Sequence, residues 1–318
     1  MQTALLPGIG NPIDELSKAC LRMETLADRA VADSAHLFHA TVGSIHGICE
    51  ALIECEEAGV ASEELRRMLA PIRRIHARSP FIRRLQEWPR EYPGDFETIE
   101  WLWGAENRAD GTLARALEHY ALTSAIAQQH RNKVAFQASC VLEAERRHSC
   151  CRVMSLACGS SPDLRSIVEQ LRPSSTFVLC DNDADALEFS QSKLASIRQQ
   201  CVLVHGRVPF ALRTLRRHGP FHLIVAGGLF DYLPDRVVER TLTIAVDSLL
   251  ARGGRIVFTN LAKGNPFRVW LEYVAEWPLL ERSEADLVQL ARGAGLASFM
   301  TLTRDLTGLA ILATIAPE

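Results

Sequence analysis

A short turn and a carboxylate that follows it are the residues of this chain best suited to bind a small ligand. The turn lies in RVMSLACGSSPDL, residues 152–164, where an apolar run ends near Gly159 and a helical pattern begins at Asp163. A strand, a tight turn and a helix start leave backbone N–H groups free to donate hydrogen bonds to a ligand. Asp181 follows Gly159 by 22 residues, at the end of the next apolar run. A carboxylate at this spacing can bind both hydroxyls of a ribose, although Asp181 could instead cap the helix that follows it.

The glycine content of the turn indicates which nucleoside it would accept. A dinucleotide needs the pattern G-x-G-x-x-G, because the backbone must approach the pyrophosphate closely. Residues 157–162 read A-C-G-S-S-P and contain a single glycine. We therefore predict a mononucleoside ligand that carries an amino-acid tail and no phosphate.

Residues 149–318 have the pattern of a sheet domain. Runs rich in β-formers, such as TFVLCD and FHLIVAGG, alternate with helical stretches such as DADALEFSQSKLASI. This alternation predicts an α/β fold: a Rossmann-like, doubly wound, mostly parallel sheet with helices on both faces. Ligands of such sheets bind at the carboxyl ends of the strands, where Gly159 and Asp181 are both expected.

Residues 1–148 have a helical pattern throughout. Apolar residues recur at three-and-four spacing in segments such as EELRRMLAPIRRIHARSPFIRRLQEW, and prolines divide the region into short helices. We predict an all-helical N-terminal cap that contributes to substrate binding. Its segment 66–90 contains eight arginines in 25 residues. Such a segment is typical of a solvated helix face, and its alternative role is to dock an anionic acyl carrier or a fatty carboxylate.

The composition of the chain argues against several other classes of protein. The 318 residues carry a net charge of −3, so nucleic-acid binding is not expected. No apolar run has the length of a membrane span, and the N-terminus MQTALLPGIGNPIDEL lacks the basic and apolar regions of a secretion signal. The nine cysteines have neither the spacing of a disulfide framework nor a CxxC pair. We therefore expect reduced thiols, no metal and a cytoplasmic location, while the oligomeric state is not indicated.

The motifs at four strand ends resemble those of class I S-adenosylmethionine-dependent methyltransferases. They read SLACGSSPDL, FVLCDNDADAL, FHLIVAGGLFDYLPD and LARGGRIVFTNL. A finer resemblance, to the bacterial 3-hydroxypalmitate methyl ester synthase-like family and the related azetidine-2-carboxylate synthases, lies in EYPGDFETIEWLW, HRNKV, GGLFDYLPDR and NLAKGNPFRVWLEYVAEWPLLERSEADL. The resemblance implies a Rossmann-like fold and S-adenosylmethionine as the cofactor, either as methyl donor or as the sole substrate.

The resemblance also implies which residues bind this cofactor. Ala157, Cys158 and Gly159 would follow its methionine part, and Asp181 would bind its ribose. Arg131, on the helix before the sheet, would pair with its carboxylate as a bidentate fork. The other implied positions are Asn182, His205, Gly206 and Arg207 around the adenine, and Gly227, Gly228 and Leu229 facing the sulfonium.

The loop departs from the common family pattern, which begins with an acidic residue and reads GCGxG. Ser155 replaces the acidic residue, Ala157 the first glycine and Ser161 the third. The added methyl group of Ala157 would either weaken cofactor binding or bend the methionine tail. The second outcome would favour unusual chemistry.

Two further motifs supply the residues expected beside the reacting groups. Tyr92 and Asp95 come from EYPGDFETIEWLW, and Phe230 and Tyr232 come from GGLFDYLPD. An aromatic ring over a sulfonium gains about 0.5 to 2 kcal/mol by cation–π attraction. Each residue has a structural alternative, Asp95 as a helix cap and the aromatic residues as packing. Cys158 is expected to fill the core rather than to act as a nucleophile.

These features predict a transferase that moves an alkyl group from a sulfonium by in-line displacement. We predict a methyltransferase that acts on a small molecule in secondary-metabolite or signal biosynthesis. A carboxylate is the favoured acceptor, because it needs no general base and the sequence shows no clear one. Two alternatives stay open: a cyclase that converts S-adenosylmethionine to azetidine-2-carboxylate and methylthioadenosine, and a non-catalytic S-adenosylmethionine-binding protein.

Overall fold

The computed structural model describes residues 11–28, 34–208 and 210–317, whose contacts group them into two compact units. The helical unit comprises the described residues up to Gly94, Ala105–Ser124 and Pro266–Pro278. The sheet unit comprises Asp95–Gly104, Ala125–Asn265 and the described residues from Leu279 onward. Residues 1–10 lie outside the described residues. The prediction that the N-terminus lacks a secretion signal falls largely on them.

Several helices begin where the sequence offers a proline or a capping side chain. Pro12, Pro80 and Pro162 lie in the first turn of their helices, where a missing N–H costs no hydrogen bond. None of the helices in the described ranges is both long and apolar enough to cross a membrane. In chain order the α-helices are α1 Pro12–Asp28, α2 Ser34–Glu57, α3 Ser62–Met68, α4 Ala70–His76, α5 Pro80–Glu87, α6 Phe96–Gly104, α7 Thr112–Thr123, α8 Ala125–Arg147, α9 Pro162–Ser166, α10 Ala184–Lys193, α11 Leu212–Leu215, α12 Asp235–Ser248 and α13 Glu284–Gly293.

The sheet unit is built on a mostly parallel sheet with the strand order β3-β2-β1-β4-β5-β7-β6. The first five strands in that order are parallel, whereas β7 is antiparallel to both β5 and β6. The strands are β1 Arg152–Leu156, β2 Thr176–Asp181, β3 Cys201–His205, β4 Phe221–Ala226, β5 Leu250–Leu261, β6 Met300–Arg304 and β7 Ala310–Ile315.

Both faces of the sheet are covered, as the nearly continuous apolar strands require. Met154 and Leu156 belong to one buried cluster, which includes residues of α12 and α13. Val153 belongs to a second cluster, which includes residues of α8 and α10. Because side chains alternate along a strand, these two clusters lie on opposite faces. The predicted α/β class and doubly wound, mostly parallel sheet are confirmed.

The strand order creates a switch point between β1 and β4. The chain moves outward from β1 to β3 and then returns to place β4 on the other side of β1. In open α/β sheets the crevice at the carboxyl ends of the strands beside such a point is the usual ligand site. The loops that follow β1, β2 and β4 meet at this edge, and they contain most of the residues predicted to bind the cofactor.

The two units do not correspond to a single division of the chain at residue 148. Helices α6 and α8, which precede that residue, belong to the sheet unit. Helix α8 belongs to the sheet unit because its apolar side is buried there. Ala138 and Val141 share a core cluster with Val153, Leu223 and Val225 of the strands. The predicted cap and cofactor-binding roles of the two regions stay predictions.

The arginine-rich segment 66–90 makes intramolecular contacts within the helical unit. Arg66 and Arg73 both form ion pairs with Glu276, and Arg73 also donates to the carbonyl oxygen of Tyr273 at 3.1 Å. Arg78 donates to a backbone carbonyl of α1, so a third arginine of the segment is also engaged. These three arginines therefore make ion pairs or hydrogen bonds within the chain. The docking of an acyl carrier by this segment stays a prediction.

Candidate functional site

The loop after β1 has an unusual backbone. Ala157, Gly159 and Ser161 all have a φ of +52°, in the left-handed region. These are the three positions that are glycine in the GCGxG pattern, so two residues other than glycine adopt a left-handed backbone here. A left-handed residue other than glycine costs about 1 to 2 kcal/mol. Such strain persists where the surroundings hold the backbone in place, and it is concentrated at ligand sites.

Hydrogen bonds from β2 and α10 hold this loop. The backbone N–H of Gly159 donates to Oδ2 of Asp181 at 2.7 Å, and its carbonyl accepts from Oγ of Ser190 at 2.7 Å. The backbone N–H of Cys158 donates to the carbonyl of Cys180 at 3.1 Å. The loop is therefore fastened to the end of β2 and to the helix that follows it.

Asp181 is not the cap of helix α10. That role belongs to Asp183, whose side chain accepts hydrogen bonds from the backbone N–H groups of Asp185 and Ala186. Asp181 instead accepts from Gly159 and, through Oδ1, from the backbone N–H of Asp183 at 3.0 Å. A carboxylate has about four lone-pair sites, so acceptor capacity is left for a ligand. Burial raises the pKa of Asp181, while hydrogen bonds from backbone N–H groups act in the opposite direction.

Cys158 contributes backbone rather than a reactive thiol. Its side chain is buried in the same apolar cluster as Leu164 and Leu187. Burial raises the pKa of the thiol well above its ordinary value, and the carboxylates of Asp181 and Asp163 raise it further. A thiol that stays protonated is a poor nucleophile, in agreement with the expected filling role.

The ends of β2 and β3 are joined beside Asp181. The backbone N–H of Gly206 donates to the carbonyl of Asp181 at 2.9 Å, and Nε2 of His205 lies 3.0 Å from the carbonyl of Asn182. Asn182 and Arg207 have exposed side chains. The structure therefore brings the positions predicted around the adenine to one edge, and their contact with a ligand stays a prediction.

The segment after β4 contains both covered and open positions, and the predicted contacts of this segment with a ligand stay predictions. A Cβ on Gly227 would overlap the side-chain amide of Gln137, so Gln137 covers this side of the glycine. Phe230 was expected beside the sulfonium, but it is 1% exposed and its ring packs 4.9 Å from that of Phe258. Gly228 is open, since a Cβ there would meet no described atom within 4 Å. Tyr232 is 39% exposed and lies on the short 3-10 helix that begins at Leu229.

A buried ion pair fixes the segment after β4, and the sequence did not reveal it. Nζ of Lys133 lies 2.8 Å from Oδ2 of Asp231, and both side chains are at most 5% exposed. Oδ1 of Asp231 accepts from the backbone N–H of Leu261 at the end of β5, at 2.6 Å. Lys133 is one helical turn from Gln137, so one face of α8 carries both polar side chains. In the sequence, the one signal was the four-residue spacing of Lys133 and Gln137 on α8. This spacing did not indicate that Lys133 has a partner 98 residues away.

The remaining predicted residues have structural partners. Oδ1 of Asp95 accepts from the backbone N–H groups of Glu97 and Thr98, so Asp95 caps α6 and its predicted catalytic role is not supported. Arg131 donates to the carbonyl of Leu102 at 3.0 Å, which leaves other N–H groups of its guanidinium for a ligand. Tyr92 is half-buried in the helical unit, and its role beside the ligand stays a prediction.

A groove of about 150 Å³ lies at the opposite, amino edge of the strands. It is lined by Glu143, Arg147 and Arg255, in which the carboxylate of Glu143 pairs with both arginines. These side chains satisfy one another, and the groove contains none of the residues predicted to bind the cofactor. Within the ranges that the structure describes, no cluster of three or more His, Cys, Asp or Glu residues could hold a metal ion.

No family model and no curated protein matches this chain. Among solved structures, the carbon methyltransferase CurJ is 13% identical, with a TM-score of 0.54 over 96% of this chain and 91% of that one. The chain shares the fold of this methyltransferase. A protein from Bordetella parapertussis, described as a "possible exported protein", is 14% identical, with a TM-score of 0.56 over 96% of this chain and 97% of that one. At these identities the likeness establishes the fold alone.

The left-handed φ of Ala157 predicts an unusual response to glycine. Ala157→Gly should raise the free energy of unfolding by about 0.5 to 1 kcal/mol, because the relieved strain exceeds the extra entropy of the unfolded chain. Urea unfolding measures the effect. The control is Ala135→Gly on the exposed side of α8, which should lose about 1 kcal/mol. Similar losses in both variants would show that residue 157 is not left-handed in solution.

The buried carboxyl of Asp163 predicts a pH dependence of stability. Burial raises its pKa from 3.8 to about 6, so the folded chain holds this proton more tightly than the unfolded chain does. The stabilisation is complete below about pH 4 and is lost as the pH rises through 6, by at most about 3 kcal/mol. Asp163→Asn should remove it. Urea unfolding at pH 4.5 and 7.5 should therefore show wild type losing stability relative to the variant at the higher pH, whereas parallel profiles would contradict the shift.

Proposed function

We propose that this chain is an S-adenosylmethionine-dependent methyltransferase that acts on a small molecule. The observation that carries the proposal is the joining of Asp181 to the left-handed loop at the carboxyl edge of the sheet, through the backbone N–H of Gly159. A carboxylate in this position could bind a ribose, beside a loop able to follow an amino-acid tail. The fold shared with a carbon methyltransferase supports the same conclusion.

The charges around the loop fit this cofactor better than a phosphate. The carboxylate of Asp181 already accepts the N–H of Gly159, and the carboxyl of Asp163 lies near enough to raise the pKa of the same thiol, that of Cys158. A pyrophosphate would meet these acidic groups in a low-dielectric setting, where like charges repel strongly. An uncharged ribose and a sulfonium cation meet no such repulsion, and Arg131 would offset the charge of the cofactor's single carboxylate.

The residues of the sheet unit divide the binding between them. Asp181 would hold the ribose, the backbone of 157–159 would follow the methionine part, and Arg131 would pair with its carboxylate. The open backbone at Gly228 leaves room on the side of β4. The remaining contacts would come from Asn182, Gly206 and Arg207 around the adenine, and from Leu229 and Tyr232 near the sulfonium.

Alignment is the main contribution that this chain makes to the reaction. When bound, S-adenosylmethionine supplies a methyl group that its sulfonium already activates for in-line displacement. The Lys133–Asp231 pair fixes the segment after β4, and the hydrogen bond from Gly159 to Asp181 fixes the loop after β1. Holding reactants in attack geometry and excluding water lower the barrier without covalent catalysis. A small carboxylate is the acceptor we propose, because it reacts without a general base.

A second candidate function is intramolecular cyclisation, and the backbone at Ala157 favours it. The methyl group of this residue stands at a left-handed position where the common pattern has glycine, next to the predicted path of the methionine tail. In this reaction the α-amine forms a bond to the γ-carbon while the bond from that carbon to sulfur breaks. Azetidine-2-carboxylate, methylthioadenosine and a proton are released.

Binding measurements test the cofactor assignment. S-adenosylmethionine and its product adenosylhomocysteine should bind and stabilise the full chain, whereas NAD and ATP should not. Asp181→Asn should weaken the affinity for adenosylhomocysteine about ten- to a hundredfold, because hydrogen bonds to a charged acceptor contribute about 1.5 to 3 kcal/mol. Calorimetric titration gives both results.

Asp183→Asn is the matched control for that titration. The substitution changes the same charge two residues away, where the side chain caps α10, so the affinity should change less than twofold. Stabilisation by NAD equal to that by S-adenosylmethionine would contradict the cofactor assignment. Equal losses in the two variants would remove the ribose role of Asp181.

Product analysis separates the two candidate reactions and the non-catalytic alternative. With S-adenosylmethionine alone, a cyclase should produce methylthioadenosine and azetidine-2-carboxylate. A methyltransferase should produce adenosylhomocysteine only when small-molecule cell extract supplies an acceptor. Mass spectrometry distinguishes these products, and the absence of turnover in both samples would leave a binding protein.

A further inference from the structure

Helix α6 bonds directly to the loop after β1, although it precedes that strand by about fifty residues in the chain. The carboxylate of Glu100 accepts from Oγ of Ser160 at 2.6 Å. The same oxygen, Oε1, lies 2.5 Å from Nη1 of Arg165, a residue of the short helix that follows the loop. Glu100 therefore joins the loop to the helix that follows it. All three residues belong to the sheet unit.

Aromatic rings hold Arg165 in the position that Glu100 requires. Its guanidinium carbon lies 5.0 Å from the ring centre of Trp103 and 5.5 Å from that of Phe189. The side chains of Arg165 and Glu100 are only 14% and 21% exposed. An ion pair with this geometry and burial is far less weakened by solvent than a surface pair.

Phe96, at the start of α6, covers the same loop. Its ring centre lies 5.4 Å from that of Phe189, and its Cβ lies 3.9 Å from the position that a Cβ on Gly159 would take. The loop thus has Asp181 and Ser190 on one side and α6 on the other. Its left-handed residues Ala157 and Ser161 would otherwise tend to relax.

We propose that Glu100 and Arg165 are positioning residues that keep loop 157–161 in its ligand-binding shape. The inference rests on the proposed function. A loop that relaxes in the free protein must be reordered on binding, and that cost reduces the affinity. Glu100 thereby acts on the cofactor through the backbone of the loop.

The test measures the affinity for adenosylhomocysteine by calorimetry, and the free energy of unfolding in urea, for the full chain. Glu100→Ala should weaken the affinity tenfold or more. Glu100→Gln keeps an acceptor for Ser160 but loses the charge facing Arg165, so the loss should be about threefold. The matched control is Glu143→Ala, which likewise removes an arginine-paired glutamate but at the amino edge, and it should change the affinity less than twofold.

A rescue experiment separates positioning from general stability. Ala157→Gly relieves strain in the loop, so adding it to Glu100→Ala should recover at least threefold of the lost affinity. Added to Asp181→Asn, it should recover none. In steady-state assays, Glu100→Ala should raise the KM for the cofactor while kcat changes less than twofold.

The outcomes distinguish this inference from the proposed function. If wild type fails to bind adenosylhomocysteine, the proposed function is overturned, and this inference falls with it. If wild type binds but Glu100→Ala and Glu143→Ala lose the same affinity, or the added glycine rescues nothing, only the positioning role is overturned. If Glu100→Ala does not fold, Glu100→Gln decides by the same comparison.

Discussion

The hydrogen bond from the backbone of Gly159 to the carboxylate of Asp181 is the contact on which the candidate site depends. It joins the loop after β1 to the end of β2, across the pairing of two parallel strands. Parallel pairing makes the contact possible, because it brings the carboxyl ends of consecutive strands to one edge. The buried carboxylate gains from the N–H groups that it accepts, and the strained loop gains a fixed partner. Sheet topology and site chemistry are thus linked through one side chain.

That contact also limits the ligands that the site can accept. A loop whose N–H groups are free attracts phosphate, but here one N–H is already bonded to a carboxylate and Asp163 is buried nearby. The negative charge that orders the loop therefore repels anions. A ligand with a diol and a positive charge can use the same charge favourably. The proposed preference for a sulfonium nucleoside and the order of the loop would then have a common origin.

The sequence predicted what depends on local pattern and spacing. The alternation of strands and helices after residue 149 predicted the parallel sheet, and the 22-residue spacing predicted that Gly159 and Asp181 lie at the same edge. The sequence could not decide between two roles of a residue when both roles share the same local pattern. Asp95 as a cap and Asp95 at a site look identical in sequence, and the choice between Asp181 and Asp183 as cap depends on backbone torsions. The same holds for Phe230, which packs against Phe258, since an aromatic residue after a strand can lie in the core or face a ligand.

Long-range pairs were beyond prediction for a different reason. The chain separates Lys133 from Asp231 by 98 residues and Glu100 from Arg165 by 65 residues. In each pair, only the fold brings the two elements next to each other. No periodicity encodes such a pair. Helix α6 lies in the sheet unit because of the contacts of Glu100 and Phe96. The helical pattern of α6 alone does not indicate this placement.

The same pairs explain how the loop can keep its shape with a single glycine. In a loop with three glycines the left-handed backbone costs little, so the conformation needs few external partners. Here Ala157 and Ser161 hold that conformation against its intrinsic preference, and side chains on β2, α10 and α6 supply the opposing contacts. The conformation of the loop therefore depends on contacts with the surrounding elements more than on glycines within the loop. A glycine pattern searched for in the loop alone would miss such a site, whereas the combination of an acidic strand end, a serine on the next helix and a glutamate from a distant helix would reveal it.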